Sequence, residues 1–474
     1  MNKKLQGKPY VILVSLTAGL GGFLFGFDTA IISGAINFLR KQFHLNAALE
    51  GWVMSSALVG CVIGAAISGY LADKFGRKKI LFLSALLFII SALGCMIAND
   101  PAFLVAARMI GGIGVGFAAM VAPMFISELS PANMRGRLVS LYQLAITIGI
   151  LFAYLTNAAL LHYAANHVQS ADSFTYFYMV TEVWRAMLGS DMIPALLFFI
   201  LLFFVPESPR WLIKENKEKN AQKILERING IRKGENELDS IRNAITKEKS
   251  SFRQLLEPGI KIALIIGLIL PFLSQLAGIT TVMYYAPSIF EKAGFGTNSA
   301  MGSAAIIGFF NMLFTLVAIW RIDKWGRKPL LTWGFVGLSI TLFIIGALFI
   351  QSNTDSILLL GAFVLYIAVF AATLGPGVWV VISEIYPTKI RGRAMSLGTL
   401  SLFLGSTFVT QTYPILKDSI GIGTTFIGYA LVMLAAIFFV KKVIPETKGK
   451  TLEEIELFWK QKGNKSFQLN KETV

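Results

Sequence analysis

The stretch Gly69–Leu81, GYLADKFGRKKIL, returns as Ile319–Leu331, IWRIDKWGRKPLL. Asp73 recurs as Asp323, 250 positions on, and each copy reads D-x-x-G-R between two long apolar runs. A second pair follows in the same order: Ser127–Leu141, SELSPANMRGRLVSL, returns as Ser383–Leu397, SEIYPTKIRGRAMSL, with Glu384 standing 256 positions after Glu128. Two motifs repeated in order at nearly one spacing mean that the second part of the chain copies the first.

The runs around these motifs set the class. Of 474 residues, 55% are hydrophobic and 15% charged, with a mean hydropathy of +0.65, too apolar for a soluble domain of this length. Apolar runs near 11–36, 51–72, 80–98, 102–126, 138–161 and 187–205, then 260–287, 300–322, 329–350, 357–382, 394–416 and 423–444, are each long enough to cross a hydrocarbon layer of ~30 Å as a helix. The expectation is an all-α membrane protein of about twelve helices in two pseudo-symmetric sets of six. Its parts are an N-terminal half 1–205, a linker 206–258, a C-terminal half 259–446 and a tail 447–474. The linker mixes both charges at helical spacing, as in KENKEKNAQKILERI, which predicts short amphipathic helices.

A net charge of +16 would suggest nucleic acid in a soluble protein. Here the basic residues sit in particular short loops: Lys74, Arg77, Lys78 and Lys79; Arg135 and Arg137; Lys324, Arg327 and Lys328; Lys389, Arg391 and Arg393. The positive-inside rule makes those loops cytoplasmic, and with them both termini and the linker, while 162–185 faces outward. The partners expected are therefore a lipid bilayer and no nucleic acid. Lys3, Lys4 and Lys8 precede the first run as in a signal peptide, but no A-x-A-like site follows before Asp28, so the segment reads as retained. Cys61 and Cys95 fall inside spans and read as buried thiols; His44, His162 and His167 lack metal-ligand spacing. No P-loop, nucleophile elbow or H-E-x-x-H occurs, so no enzyme, metal or cofactor is expected.

Paired halves with a site between them at mid-membrane are the architecture of alternating-access transporters. The motif carboxylates can pair with arginines at the membrane edge, where the dielectric is reduced, and form a clamp made in one conformation and broken in another. The alternative is static anchoring of these loops by lipid phosphates. One carboxylate lies elsewhere: Asp28, in Gly22–Gly34, GFLFGFDTAIISG. An acid inside a span costs roughly 2.5 to 3.5 kcal/mol on insertion scales and needs a partner or a purpose. At ~1.5 Å per residue, Asp28 and Arg108 of the fourth span fall within about one turn of the same depth, so they can pair. A permanent pair would leave the acid charged; an intermittent one would let it take up and release a proton.

The motifs DKFGRKK and DKWGRKP, PMFISELSPANMRGRL, VPESPRWL at 205–212, GPGVWVVISEIYPTKIRGR at 375–393 and PETKGKTLEEIE at 445–456 are recognisable together. Over essentially its whole length the chain resembles the sugar porter family of the major facilitator superfamily, and within it the bacterial proton-coupled symporters of the xylose and galactose type. The resemblance implies import of a monosaccharide by a protein acting as a monomer in the cell membrane, with proton symport through Asp28 and its partner Arg108, and Asp191 and Glu182 as weaker candidates. Facilitative uniport on the same fold and a sugar-sensing receptor are the competing readings.

A hexose both donates and accepts hydrogen bonds, so its site needs amides, hydroxyls and aromatic faces rather than charge. The resemblance assigns Gln143 and Ile150 in LYQLAITIGI to the sugar. In SQLAGITTVMYY it assigns Ser274 in place of a glutamine, Gln275, and Thr280 in place of an asparagine, with Tyr284 and Tyr285 as the outer gate. Asn311, Trp379 and Phe25 join them. In the eleventh span, SLFLGSTF offers Leu402 and Phe403 where relatives carry an amide and a tryptophan, so polar contacts are expected to be lost there. The cytoplasmic gate is expected from Asp73, Arg77, Glu128, Arg135, Glu207, Asp323, Arg327, Glu384 and Arg391.

Overall fold

A computed structural model describes residues 7–131, 134–167, 176–247, 260–351, 356–386, 390–448, 454–455 and 458–459, without the side chains at 244–247, 321–325 and 391. The gate candidates Asp323 and Arg391 therefore have side chains outside the described residues. Every regular element among those residues is helical.

Contacts divide the chain into two compact units. The first takes Met1–His44 and Ser56–Glu248; the second takes Leu45–Ser55 and Lys249–Val474. The first unit carries α1 (Lys8–Gln42), most of α2 (Ala47–Phe75), α3 (Arg77–Ile97), α4 (Pro101–Leu129) and α5 (Arg135–Asn166). Then come α6 (Val183–Gly189), α7 (Met192–Leu202) and the linker helices α8 (Pro209–Lys214), α9 (Glu218–Asn229) and α10 (Ile231–Lys247). Trp211, Leu212, Ile213 and Ala221 form a small core for the linker helices, joined by Ile224, Leu238 and Ile241.

The second unit carries α11 (Ile260–Gln275), α12 (Ile279–Lys292), α13 (Thr297–Trp325), α14 (Arg327–Ile350), α15 (Ser356–Ala372), α16 (Leu374–Glu384), α17 (Arg391–Ile420) and α18 (Ile422–Val443). In the first unit α1 lies along α5; in the second α11 lies along α17, as the repeat requires.

Among the described residues, eleven segments are long and apolar enough to cross a membrane. The twelfth expected span is α17, whose 30 residues suffice in length but include Ser406, Thr407, Thr410, Gln411 and Thr412. Other expected runs prove to be broken. The run 260–287 splits at residues 276–278 and the run 357–382 at Thr373. Breaks at membrane depth survive when protein groups satisfy the freed backbone, and Tyr366 Oη donates to the Ala277 carbonyl at 2.7 Å.

The sixth span also starts earlier than expected. Residues 183–185 belong to α6, and 162–166 belong to α5, rather than to an outer loop running over 162–185. Arg185 can be buried in this helix because Glu182, the Met96 carbonyl and Asn99 satisfy its guanidinium. Glu182 is thereby held as the partner of Arg185.

Candidate functional site

In the first unit the acid of α1 meets the base of α4. Asp28 Oδ1 lies 3.6 Å from Arg108 Nη1, and the two residues are 8% and 1% exposed. Asp28 is placed by a close crossing: a Cβ on Gly26 would lie 1.9 Å from the Ile146 carbonyl oxygen of α5, and one on Gly149 2.1 Å from that of Phe23. Only glycine permits backbones so near, and α1 is fixed there at Phe23 and Gly26, just before the carboxylate.

Asp191, at the bend between α6 and α7, is 3% exposed, and its Oδ1 has no hydrogen-bond partner among the described residues. It lies within electrostatic reach of both Asp28 and Arg108. One buried cation thus faces two buried acids, an arrangement that cannot hold both acids charged as well as it holds one. Gln143 on α5 and Phe25 on α1 are half-buried, and Ile150 is buried.

In the second unit the break at 276–278 sets the amide of Gln275 against the start of α12. Thr280 Oγ1 donates to Gln275 Oε1 at 2.9 Å, and Ser406 Oγ of α17 donates to the same oxygen at 2.9 Å. Ser274 Oγ donates to the Pro271 carbonyl at 2.6 Å. Tyr284 and Tyr285 are buried, Tyr285 Oη donating to the Thr410 carbonyl at 3.3 Å. Asn311 is 7% exposed, Trp379 is half-buried and Phe403 is 2% exposed. Ser406, one turn beyond Leu402 and Phe403, is a buried hydroxyl of α17 that the reading of this span did not single out.

The repeated motifs build two matching clusters, one in each unit. Gly76 and Gly326 have φ of +100° and +80°, a region open to glycine, and each turns the chain straight into the helix that begins at Arg77 or Arg327. Arg77 makes a two-pronged pair with Glu128 at 3.1 Å and 3.1 Å and reaches Asp73 at 3.1 Å. Arg327 pairs with Glu384 at 2.8 and 3.1 Å.

Glu207 accepts the backbone N–H groups of Arg77 and Lys78, both at 3.1 Å; Glu446 accepts those of Arg327 and Lys328 at 3.0 and 3.1 Å. Ser208 bonds to Glu128 and Thr447 to Glu384. Glu446, Ser208 and Thr447 were not among the expected gate residues. The signal was present, since P-E-S at 206–208 recurs as P-E-T at 445–447. Arg135 Nε donates to the Ser127 carbonyl at 3.1 Å, and its charge acts on Glu237 of the linker. Glu128 is already taken by Arg77.

Residues 14–459 match the family described as "Sugar (and other) transporter". The chain belongs to this sugar transporter family. Over 451 residues it is 42% identical to the arabinose-proton symporter of Bacillus subtilis, covering 95% of each chain. It is 38% identical over 492 residues to the D-xylose-proton symporter of Escherichia coli, covering 97% of this chain and 98% of that one. In structure it resembles the partially occluded, inward-open xylose transporter XylE from E. coli, with a TM-score of 0.82 at 35% identity over 94% of this chain and 100% of that one. The fold is that of the major facilitator superfamily, and this sugar transporter is not an enzyme. Against that identity, the amides, hydroxyls and aromatic rings described above have the chemistry a neutral, polyhydroxylated solute requires.

Proposed function

We propose that this sugar transporter imports a monosaccharide by alternating access and couples each cycle to a proton carried by Asp28. The observation that supports coupling is the buried Asp28–Arg108 pair, 3.6 Å apart, with Asp191 in electrostatic reach. While Arg108 stays near, it stabilises the charged carboxylate. If a movement of α4 relative to α1 withdraws it, a lone charge in a span becomes costly by roughly 2.5 to 3.5 kcal/mol, and binding a proton removes that cost. Asp191 supplies a second acceptor at the same arginine.

The sugar is read as binding to Gln143, Ile150 and Phe25 from the first unit and Ser274, Gln275, Thr280, Tyr284, Tyr285, Asn311, Trp379 and Phe403 from the second. Relatives named for arabinose and xylose favour a pentose. The clusters around Arg77 and Arg327, with Asp73, Glu128, Arg135, Glu207, Asp323, Glu384 and Arg391, are read as the cytoplasmic gate. The protein is read as a monomer of the cell membrane, and the loop charges support both termini lying in the cytoplasm.

The test is Asp28→Asn in proteoliposomes. The amide keeps shape and hydrogen bonding while removing the titrating group. Exchange of labelled for unlabelled sugar is expected to survive, and accumulation driven by a proton gradient to vanish. Retained, uncoupler-sensitive accumulation by Asp28→Asn would reassign the acid to a permanent pair with Arg108. A wild type that equilibrates sugar but never concentrates it would make the protein a facilitator.

A further inference from the structure

We infer that the groove between α14 and the end of α18 binds an anionic phospholipid, its phosphate held by Lys328 and Lys441 and its acyl chain lying against Trp333 and Val336. Pro329, Thr332 and Glu446 complete the lining of this groove, which has a volume of about 550 Å3. Lys328 Nζ donates to the Lys441 carbonyl at 2.7 Å, which uses one of the three N–H groups of an ammonium. Lys441 is exposed, and its ammonium has no hydrogen bond or ion pair among the described residues. Glu446, the acid in the lining, turns its oxygens to the backbone N–H groups of Arg327 and Lys328 at 3.0 and 3.1 Å, so the two lysines leave the rim positive overall.

The other wall is apolar. Trp333 is 71% exposed on the second turn of α14, a helix long and apolar enough to cross a membrane. An indole so near the end of a span lies at the level of the lipid headgroups. A soluble anion would satisfy the lysines and leave Trp333 and Val336 bare, while an uncharged or zwitterionic lipid would cover the apolar wall and leave the rim without a counter-charge. A basic pocket opening beside an apolar helix face fits a lipid that carries net negative charge.

The first unit carries the same scaffold with this place closed. Lys78 Nζ donates to the Phe203 carbonyl at 3.3 Å, as Lys328 does to that of Lys441. Phe82 stands 250 positions before Thr332, the offset of Asp73 from Asp323. Its ring packs on those of Phe199 and Phe203 at centroid distances of 5.3 and 4.8 Å, with Lys78 Nζ 5.7 Å from its own centroid. Two exchanges thus separate the copies. Threonine in place of Phe82 opens the groove, and lysine in place of Phe203 adds a second cation to its rim.

The test reconstitutes the purified full-length protein into phosphatidylcholine bilayers with dibrominated phosphatidylglycerol or dibrominated phosphatidylcholine, since bromine quenches a tryptophan it touches. The quenching carried by Trp333 is the difference between each protein and its Trp333→Phe partner. In the wild type it should show phosphatidylglycerol preferred by about tenfold or more, as two lysines near an anionic lipid contribute about fivefold each. Lys441→Gln should bring the preference within about twofold. Thr332→Phe copies the first unit and should abolish it by filling the groove with no change of charge. Lys442→Gln removes a neighbouring charge that does not line the groove, and should leave the preference in place. Equal quenching by the two lipids in the wild type overturns the inference, as does a preference kept in Lys441→Gln or Thr332→Phe. Equal losses in Lys441→Gln and Lys442→Gln overturn it too, by reducing the effect to general surface attraction. A preference that millimolar inorganic phosphate removes would make this a soluble anion's site, whereas one that phosphate leaves unchanged supports the lipid.

Discussion

Glu207 and Glu446 hold equivalent places in the two matching clusters but differ in acid strength. Burial raises Glu207 above its ordinary value of 4.5, outweighing the N–H groups of Ser208, Lys78 and Arg77 and the charge of Arg77. At Glu446 the burial is also unfavourable to charge, but the backbone N–H groups of Lys448, Arg327, Lys328 and Thr447 outweigh it and hold the carboxyl below 4.5. A lowered carboxyl contributes stability that is present above its unfolded value and lost as pH falls through the folded one. Glu446→Gln should therefore lower the melting temperature at neutral pH, and the gap to wild type should close as pH drops below about 4.5. For a raised carboxyl the sign reverses: Glu207→Gln should match wild type at low pH and become the more stable of the two as pH rises past about 4.5. Melting curves in detergent across this range check both, and parallel trends would contradict the assignment. At this scale the sequence was legible where one residue broke a rule. Asp28 and Arg108 were conspicuous as charges in apolar spans, and the structure places them within 3.6 Å. Ser406 was not legible, because a hydroxyl in a helix is unremarkable until the helix's rotation is known.

Helices were legible as lengths of apolar sequence, less so as lines. Hydropathy counts residues and cannot register the interruptions at 276–278 and Thr373, since the broken stretches stay apolar and are mended by bonds such as Tyr366 to Ala277. It also undervalues α17, whose polar residues face protein partners. The first turns of α2 show what such partners contribute. Within the second unit, Glu50 lies 3.5 Å from Lys417 of α17, with both side chains under a tenth exposed, and Ser55 Oγ donates to Gln411 Oε1 at 2.8 Å. Removing one member of a buried pair strands the other and costs on the order of 3 to 5 kcal/mol, whereas replacing both with neutral groups of similar volume is often tolerated. Lys417→Met should lower the melting temperature markedly, and adding Glu50→Gln should recover much of the loss. A double variant as unstable as the single one would show that the charge on Glu50 is satisfied without Lys417.

Across the whole chain, the repeat seen in the sequence is a repeat of chemistry: glycine turn, arginine, two carboxylates and a hydroxyl, built once in each unit. Each cluster also has a buried tryptophan beside it, Trp211 donating to the Asp73 carbonyl and Trp459 to the Ile385 carbonyl, both at 2.9 Å. The second tryptophan sits too far from its P-E-T for alignment of the halves to find it. Truncating a buried tryptophan costs about 3 to 5 kcal/mol. Trp211→Ala should therefore raise hydrogen exchange around Asp73–Lys78 and leave Ile385–Tyr386 protected, and Trp459→Ala should do the reverse; exchange rising at both places in either variant would mean that the clusters are not separate. The position of Glu207 and Glu446 along the chain carries a further implication. A ribosome delivers the amino end first, so Arg77 and Glu128 enter the membrane well before Glu207 is made, and Arg327 and Glu384 well before Glu446. Each half is left with uncapped backbone N–H groups at the head of its third helix until its last helix has been inserted and the P-E-S or P-E-T that follows has left the tunnel. A nascent chain halted short of either triplet is thus marked as unfinished by its own unmet hydrogen bonds.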